Sequence, residues 1–204
     1  FKFAKLHRNF KGKFMKIALF GGSFDPPHLG HDTVVKAALE RLDADKLIIM
    51  PTFISPFKSE FSAPPLLRLR WANEAWGALT KVCVNGYEIA QNRPVPTIES
   101  VRHMRQIYAV SEPYLIIGAD HLASLDKWHE IDELFKLATF VVASRDDIAV
   151  PENFKILNIN EPVSSSQIRQ NLDKSLMIPC IADEAAKFYQ GKTCKKESNE
   201  SSKS

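Results

Sequence analysis

Short apolar runs rich in β-branched residues alternate with longer amphipathic stretches along most of the chain. This alternation is the rhythm of strands followed by crossover helices. It predicts strands over residues 16–20, 46–50, 81–84, 113–117, 139–143 and 155–159. It predicts helices over residues 30–42, 64–79, 97–109, 130–137, 164–173 and 181–190.

Two of the predicted strands are apolar on both faces, Tyr114-Leu115-Ile116-Ile117 and Thr139-Phe140-Val141-Val142. Strands of this kind suit a parallel sheet that helices cover above and below. The predicted fold class is therefore α/β, a doubly wound, mostly parallel, Rossmann-like sheet with a small C-terminal helical part. In such sheets ligands bind beyond the carboxyl ends of the strands, where helix N-termini point inward.

Length and composition predict one domain. The chain has 204 residues, of which 45% are hydrophobic, and this suits a single core-bearing globule rather than two. We expect a basic leader over 1–14 outside the fold, one domain over 15–190 and a disordered polar tail over 191–204. The apolar runs are far shorter than the roughly 20 residues of a membrane-spanning helix, so the sequence predicts no membrane partner.

The net charge of +3 comes from the leader. Five of the 27 basic residues lie in 1–14, so 22 basic residues remain against 24 acidic ones. A nearly neutral body does not predict nucleic-acid binding. The three cysteines, Cys83, Cys180 and Cys194, are far apart and lack Cys-x-x-Cys spacing. They indicate neither a disulfide framework nor a zinc ribbon, and they favour a cytoplasmic location.

The most informative stretch is FGGSFDPPHLGH, residues 20–31, between the first predicted strand and helix. Its paired glycines let backbone N–H groups approach an anion closely. His28 and His31 lie three apart at a helix start, so both rings can donate to one phosphate beside the positive end of the helix. Two alternatives stay open: a tight turn with two surface histidines, or a metal pair, for which no third ligand comes at suitable spacing.

A second candidate for anion binding is VSSSQIR, residues 163–169. Hydroxyls, N–H groups and a guanidinium gather there at a predicted helix start, which suits phosphate. The alternative is an ordinary N-cap by Ser164 or Ser165, with Arg169 exposed. Neither G-x-x-x-x-G-K-[ST] nor G-x-G-x-x-G occurs in the sequence, which argues against a P-loop kinase and a dinucleotide oxidoreductase.

Together the two stretches resemble a known family. Residues 21–31 resemble the G-G-[ST]-F-D-P-x-H-x-G-H signature of bacterial nicotinate-nucleotide adenylyltransferases, and residues 163–169 resemble the I-S-S-T-x-I-R element of that family. H-x-G-H alone marks the wider nucleotidyltransferase superfamily, whereas the pair in this order is more specific. Three further similar stretches are Pro56-Phe57-Lys58, with Phe57 in place of the usual His; Ile116 to Asp120, followed by Leu125 and Trp128; and Glu88, followed by Pro94-Val95-Pro96-Thr97, with Pro96 in place of Tyr.

The resemblance implies transfer of AMP from ATP to nicotinate mononucleotide, which gives deamido-NAD and pyrophosphate in NAD biosynthesis. It implies Mg²⁺ that arrives with ATP and no protein metal site. The catalytic residues it implies are His28, His31, Lys58 and Arg169. The ATP- or phosphate-binding residues it implies are Gly21, Gly22, Ser23, Phe24, Gly118, Asp120, Ser164, Ser165 and Ile168. For the mononucleotide it implies Trp128 stacked on the pyridine ring and Thr97 near the carboxylate, with His129 as a candidate donor.

Other functions stay open at the level of sequence. Within the superfamily the alternative acceptors are nicotinamide mononucleotide and phosphopantetheine, and the stretches at 118–128 and 164–169 argue against the latter. A non-catalytic nucleotide-sensing module would bind ATP without releasing pyrophosphate. RNA binding through the leader would weaken steeply with salt. We expect small-molecule substrates, no nucleic-acid partner, and either a monomer or a homo-oligomer.

Overall fold

The computed structural model describes residues 15–54, 61–110, 112–144, 149–159 and 163–201, with side chains described as far as 192. Within these residues the strands form one six-stranded sheet of order β3-β2-β1-β4-β5-β6, and every pairing is parallel. The fold class predicted from the sequence is confirmed. The strands are β1 (Ile17–Gly22), β2 (Lys46–Pro51), β3 (Val82–Val84), β4 (Tyr114–Gly118), β5 (Thr139–Ser144) and β6 (Lys155–Asn158).

The helices agree with the predicted ones except at their ends and in three short additions. The additions are α3 and two 3₁₀ segments, Ala119–Lys127 and Lys174–Leu176. Sequence periodicity missed them because segments this short or irregular show no amphipathic repeat. The helices are α1 (Leu29–Arg41), α2 (Pro65–Trp76), α3 (Tyr87–Ala90), α4 (Thr97–Tyr108), α5 (Ile131–Leu137), α6 (Ser165–Asn171) and α7 (Pro179–Ser201).

The C-terminal helix differs most from its predicted bounds. A helix over 181–190 and a disordered tail after it were expected, whereas α7 continues as helix to Ser201. The tail is rich in Lys and Glu, which are good helix formers, and no proline follows Pro179. The intrinsic helix propensity of these residues thus continues α7 beyond the apolar residues that pack on the core. The leader predicted over 1–14 lies outside the described residues.

Helices cover both faces of the sheet, as the doubly apolar strands require. On one face α1, α2, α6 and α7 pack around Trp71 and Trp76, both fully buried. On the other face α4, α5 and the first 3₁₀ segment pack around Ile98 and Leu134. In the described part of the chain, no helix is long and apolar enough to cross a membrane.

The strand order places a crevice between β1 and β4. Strands β2 and β3 lie on one side of β1, and β4 to β6 lie on the other. Connections therefore leave β1 and β4 toward opposite faces of the sheet, and this opens the space beyond their carboxyl ends. Gly22 ends β1 and Gly118 ends β4, so the predicted glycine turn reaches this switch point.

Candidate active site

The turn between β1 and α1 is supported from inside the core by Phe24. Its side chain is 1% exposed. The ring packs edge-on, with ring centroids 5.5 Å from Phe20, 4.9 Å from His31 and 5.4 Å from Trp76. Phe24 was predicted among the phosphate-binding residues. The structure makes its side chain a packing group, so only its backbone remains for an anion.

The two histidines of the turn are stacked on each other. Their ring centroids are 3.7 Å apart and their planes differ by 28°. His28 is the N-cap of α1, and its Nδ1 accepts a hydrogen bond of 3.4 Å from the His31 backbone N–H. Because Nδ1 accepts, the proton of the neutral His28 ring belongs on Nε2. Both rings thus lie at the positive end of α1, where an anion is favoured.

His31 is held neutral by its surroundings. Burial lowers the pKa of its imidazole well below the ordinary value, and the neighbouring His28 lowers it further. Its Nδ1 is buried without a hydrogen-bond partner among the described residues. Leaving such an atom unpaired costs about 1–3 kcal/mol.

Gly30 allows this close arrangement. A β-carbon at Gly30 would lie 3.1 Å from His28 Cε1 and Nδ1 and 3.2 Å from the Val163 carbonyl oxygen. Contacts this short would push the imidazole or the backbone of the second motif away. The glycine of H-x-G-H therefore leaves room for the stacked His28 ring and for the close approach of the Val163 backbone.

The second motif packs directly on the first. Arg169 Nη1 donates a hydrogen bond of 2.7 Å to the Asp25 carbonyl, and the Ser165 hydroxyl donates one of 3.3 Å to the Pro26 carbonyl. These contacts join residues 144 and 139 positions apart. The fold thus brings together the two stretches that the sequence predicted to act in one site.

Two residues of the second motif serve the helix itself. Ser164 forms a capping box with Gln167: its Oγ accepts from the Gln167 N–H at 3.3 Å, and Gln167 Oε1 accepts from the Ser164 N–H at 3.1 Å. The N-cap interpretation therefore holds for Ser164. Ile168 is fully buried, and its N–H bonds to the Ser164 carbonyl at 3.2 Å. The side chains of Ser164 and Ile168 thus serve as a cap and a core group, and the nucleotide-binding roles of the two residues stay predictions.

A cavity of about 340 Å³ opens at the switch point beside this turn. Its wall contains six of the residues to which the resemblance gave nucleotide- or mononucleotide-binding roles, namely Gly21, Gly22, Ser23, Thr97, Gly118 and Trp128. It also includes Thr52, Glu88, Ser100, His121, Lys127 and His129. His28, His31, Asp120 and α6 lie outside this wall. The predicted site therefore has two parts, a phosphate turn and an adjoining cavity, with residues 21–23 common to both.

Trp128 stands at one side of the cavity, at the end of the 3₁₀ segment that follows β4. Its ring meets His121 edge-on, with centroids 5.7 Å apart. Its indole Nε1 is buried without a partner among the described residues. Lys127 and His129 flank it in the wall. This corner offers an aromatic face and cationic groups, a combination that suits a flat ring bearing a negative charge.

Glu88 is the cavity residue to which sequence reasoning gave no role. Its side chain is 5% exposed, and Oε1 accepts a hydrogen bond of 2.6 Å from the Ser100 hydroxyl. Burial raises the pKa of its carboxyl to about 7, although the bond from Ser100 acts in the opposite direction. No local pattern reveals this burial, because it depends on α4 packing over α3.

Arg68 fastens the segment after β2 to the phosphate turn. Its guanidinium is 1% exposed and donates to the carbonyls of Ala63, Ser23 and Phe53 at 3.0, 2.6 and 2.6 Å. Phe53 and Ala63 lie on either side of residues 55–60. Lys58, predicted as a catalytic residue, falls outside the described residues. The structure does describe Phe53 and Ala63, the two residues at which Arg68 holds the ends of the segment that contains Lys58.

The described residues contain no cluster of three His, Cys, Asp or Glu side chains placed to hold a metal ion. The carboxylate of Asp120 lies in the first turn of the 3₁₀ segment and is exposed. The donors gathered at the turn are imidazoles, hydroxyls and a guanidinium. This set suits phosphate oxygens, and Mg²⁺ brought by ATP stays a prediction.

A parallel sheet with an H-x-G-H turn at its switch point defines a nucleotidyltransferase, and the comparisons agree. The family described as cytidylyltransferase-like matches residues 19–171. The probable nicotinate-nucleotide adenylyltransferase of Campylobacter jejuni strain 81-176 is 53% identical over 176 residues, covering 86% of this chain and 97% of the relative. That of Sulfurimonas denitrificans is 49% identical, covering 89% and 98%. The chain belongs to the nicotinate-nucleotide adenylyltransferases within the cytidylyltransferase-like family.

Solved structures support the same fold. The nicotinic acid mononucleotide adenylyltransferase of Plasmodium falciparum complexed with NaAD matches with a TM-score of 0.65 at 20% identity, covering 85% of this chain and 94% of that one. A putative nicotinate-nucleotide adenylyltransferase of Vibrio parahaemolyticus matches with a TM-score of 0.60, also at 20% identity, covering 84% and 98%. At this identity the likeness concerns the fold alone.

Proposed function

We propose that this enzyme transfers AMP from ATP to nicotinate mononucleotide, giving deamido-NAD and pyrophosphate. One observation carries the proposal: residues 21–23 line the cavity and lead directly into the turn that ends in the stacked histidines. A phosphate bound by the turn and a ring bound in the cavity would therefore lie next to each other. That is the arrangement needed to join a mononucleotide phosphate to a nucleotide.

The reaction is an in-line displacement. A phosphate oxygen of the mononucleotide attacks the α-phosphorus of ATP, and the bond from that phosphorus to the β-phosphate bridging oxygen breaks. The attacking oxygen is already anionic, so no general base and no covalent enzyme intermediate are required. Catalysis then rests on holding the two substrates in line and on stabilising the charge that develops.

His28 and His31 stabilise that charge in this proposal. Neutral imidazoles at the start of α1 donate hydrogen bonds to the α- and β-phosphate oxygens, and the helix dipole adds partial positive charge. The depressed pKa of His31 keeps this donor neutral throughout the physiological range. Its geometry is set before the substrates bind, because the rings are already stacked.

Arg169, Ser165 and Lys58 anchor the triphosphate and the departing pyrophosphate. Two N–H groups of Arg169 donate hydrogen bonds to the Asp25 carbonyl and the Ser166 hydroxyl. These bonds orient the guanidinium, whose other N–H groups remain for phosphate. We expect Mg²⁺ to enter with ATP, since it commonly binds through substrate phosphates.

The acceptor ring occupies the cavity. Trp128 provides a stacking face, and the first turn of α4 at Thr97 presents backbone N–H groups that lack partners within the helix. Lys127 adds positive charge to the same wall, and His129 adds an imidazole that can donate a hydrogen bond. A carboxylate is favoured over a carboxamide there, because the NH₂ of a carboxamide would meet donors.

Location and assembly are proposed on sequence grounds. Cys83 and Cys180 are free thiols in the structure, and together with the small-molecule substrates they support a cytoplasmic enzyme. We propose no nucleic-acid partner, because the body of the chain is nearly neutral. A homo-oligomer remains compatible with the fold.

The decisive experiment is pyrophosphate release from the purified protein with Mg²⁺ and ATP. Nicotinate mononucleotide, nicotinamide mononucleotide and phosphopantetheine are compared as acceptors in parallel. We expect strong preference for the first. Release with phosphopantetheine alone would move the enzyme to another branch of the superfamily, and ATP binding without release from any acceptor would indicate a non-catalytic module.

A further inference from the structure

Three polar side-chain atoms in the cavity wall are buried without a partner among the described residues. They are Thr52 Oγ1, Glu88 Oε2 and Trp128 Nε1. The hydroxyl and the indole are neutral at any pH near 7, so their part in binding is constant. The carboxyl is different because its charge changes, and an ionised carboxylate that is buried without a cationic partner is costly.

Glu88 has no cationic partner within the described part of the chain. Its hydrogen bond comes from the neutral Ser100 hydroxyl. Arg93, a cation between α3 and α4, pairs instead with Glu99 at 2.6 Å. Burial accordingly raises the pKa of Glu88 to about 7, and the negative charge of Glu99 acts in the same direction. The other titratable and charged side chains that share the cavity wall with Glu88 are His121, Lys127 and His129.

We propose that Glu88 is a specificity-determining residue of the acceptor cavity, which must carry a proton when the bound pyridine ring bears a carboxylate. The inference rests on the proposed function, since it concerns the ring in that cavity. Two carboxylates beside one cavity cannot both be ionised without strong repulsion, because Glu88 has no cationic partner among the described residues to offset it. A protonated Glu88 removes that repulsion.

The proposal links acceptor choice to pH. Above the pKa of free Glu88, a carboxylate ligand must bring a proton with it, so its affinity falls by up to about tenfold per pH unit. A carboxamide ligand has no such requirement, because it is neutral and is not repelled by an ionised Glu88. The preference for carboxylate over carboxamide therefore weakens as pH rises.

The test measures proton uptake by isothermal titration calorimetry with the full-length wild-type protein. Deamido-NAD and NAD are the probes, because neither dinucleotide has a phosphate that titrates near neutral pH. Each is titrated at about pH 8 in buffers of different ionisation enthalpy, and we expect uptake of about one proton with deamido-NAD and about none with NAD. Between about pH 7 and about pH 8 the Kd of deamido-NAD should rise by up to about tenfold, while that of NAD stays constant.

Variants assign the proton to its residue. Glu88→Gln should abolish the difference in uptake and flatten the pH dependence, whereas the matched control Glu74→Gln, on α2 at the opposite face of the sheet, should behave as wild type. His121 and His129 line the same cavity and are intact in Glu88→Gln. Persistent uptake in Glu88→Gln would therefore overturn the proposal.

Ser100→Ala provides a second test that leaves Glu88 in place. The Ser100 hydrogen bond favours the ionised carboxyl, so its loss should move the midpoint of the pH dependence upward. An unchanged midpoint would assign the proton elsewhere and overturn the proposal. Failure of both dinucleotides to bind would overturn the proposed function as well, whereas tight binding of deamido-NAD without Glu88-dependent uptake would overturn this inference alone.

Discussion

The hydroxyl of Tyr189 donates a hydrogen bond of 2.5 Å to Asp25 Oδ1, joining the C-terminal helix to the phosphate turn. The same carboxylate accepts the backbone N–H groups of Ser62 and Ala63, both at 2.9 Å. Burial and the adjacent Asp25 raise the pKa of Tyr189, so its phenol stays a donor. One buried carboxylate thus holds α7, the turn and the end of the segment that carries Lys58.

Tyr189→Phe tests this junction. The change removes one hydrogen bond to a buried carboxylate and keeps the ring, so the free energy of unfolding should fall by about 1.5–3 kcal/mol. Urea denaturation of the variant and of Tyr114→Phe, which removes a half-buried hydroxyl on β4, gives the comparison. An equal loss of unfolding free energy in the two variants would show that the hydrogen bond to Asp25 adds no stability beyond that of an ordinary tyrosine hydroxyl.

Arg68→Lys should be costly although it keeps the charge. A single ammonium cannot reach the three carbonyls that the guanidinium fork joins, so at least one buried acceptor is left unpaired at about 1–3 kcal/mol. The free energy of unfolding measures this loss, and the KM for ATP should rise because Lys58 lies between the anchored ends. The matched control is Arg70→Lys on the exposed side of α2, where ion pairs with Glu74 and Glu184 are worth less than about 1 kcal/mol.

His31→Ala should lower kcat by about 10²-fold or more, because a preorganised donor to the developing charge is lost. Pyrophosphate release under saturating substrates measures the effect. His103→Ala, in α4 and stacked on Tyr87 away from the turn, should keep kcat near the wild-type value. An unchanged kcat in His31→Ala would remove the catalytic role assigned to that residue.

Trp128→Ala should raise the KM for nicotinate mononucleotide by up to about tenfold, the equivalent of losing one aromatic stacking contact. The KM for ATP serves as the internal control, since the stacked histidines of the phosphate turn lie outside the wall that contains Trp128. A normal KM for the mononucleotide would mean that Trp128 only packs against His121.

Stability should depend on pH through Glu88 with a defined sign. Its pKa is about 7 in the folded protein against an ordinary value of 4.5, so the folded state binds more protons between these values. The contribution of Glu88 to the free energy of unfolding is therefore full below 4.5 and falls by up to about 3 kcal/mol as pH rises to 7. Urea denaturation of wild type minus Glu88→Gln should show this decline, and a flat or rising difference would contradict it.

His31 acts with the opposite sign. Its pKa is depressed in the folded state, so the unfolded chain binds the proton first as pH falls. The stability it contributes is present above its ordinary pKa of 6.5 and is lost as pH falls toward the folded value. Between pH 4.5 and 6.5 the contribution of Glu88 falls as pH rises while that of His31 increases, so the two changes oppose each other.

The architecture was predictable from the sequence because a strand that is covered on both faces is a continuous apolar run, which is visible in the local sequence. Apolar runs at 114–117 and 139–142 are buried in β4 and β5, and glycines end β1 and β4 where the ligand site lies. The turn with His28 and His31 carries its own spacing and needed no tertiary information. The family followed from two motifs in the expected order.

Only the tertiary structure decided how the individual side chains of the site are used. Ser164 and Phe24 fit a phosphate-binding motif in sequence, yet one caps α6 and the other fills the core. Glu88 and Arg68 are charged residues with no local sign of burial, and their partners come from elsewhere in the chain. Periodicity reports which face of an element is apolar, whereas the pairing of a buried polar atom depends on residues that only the completed fold brings within hydrogen-bond distance.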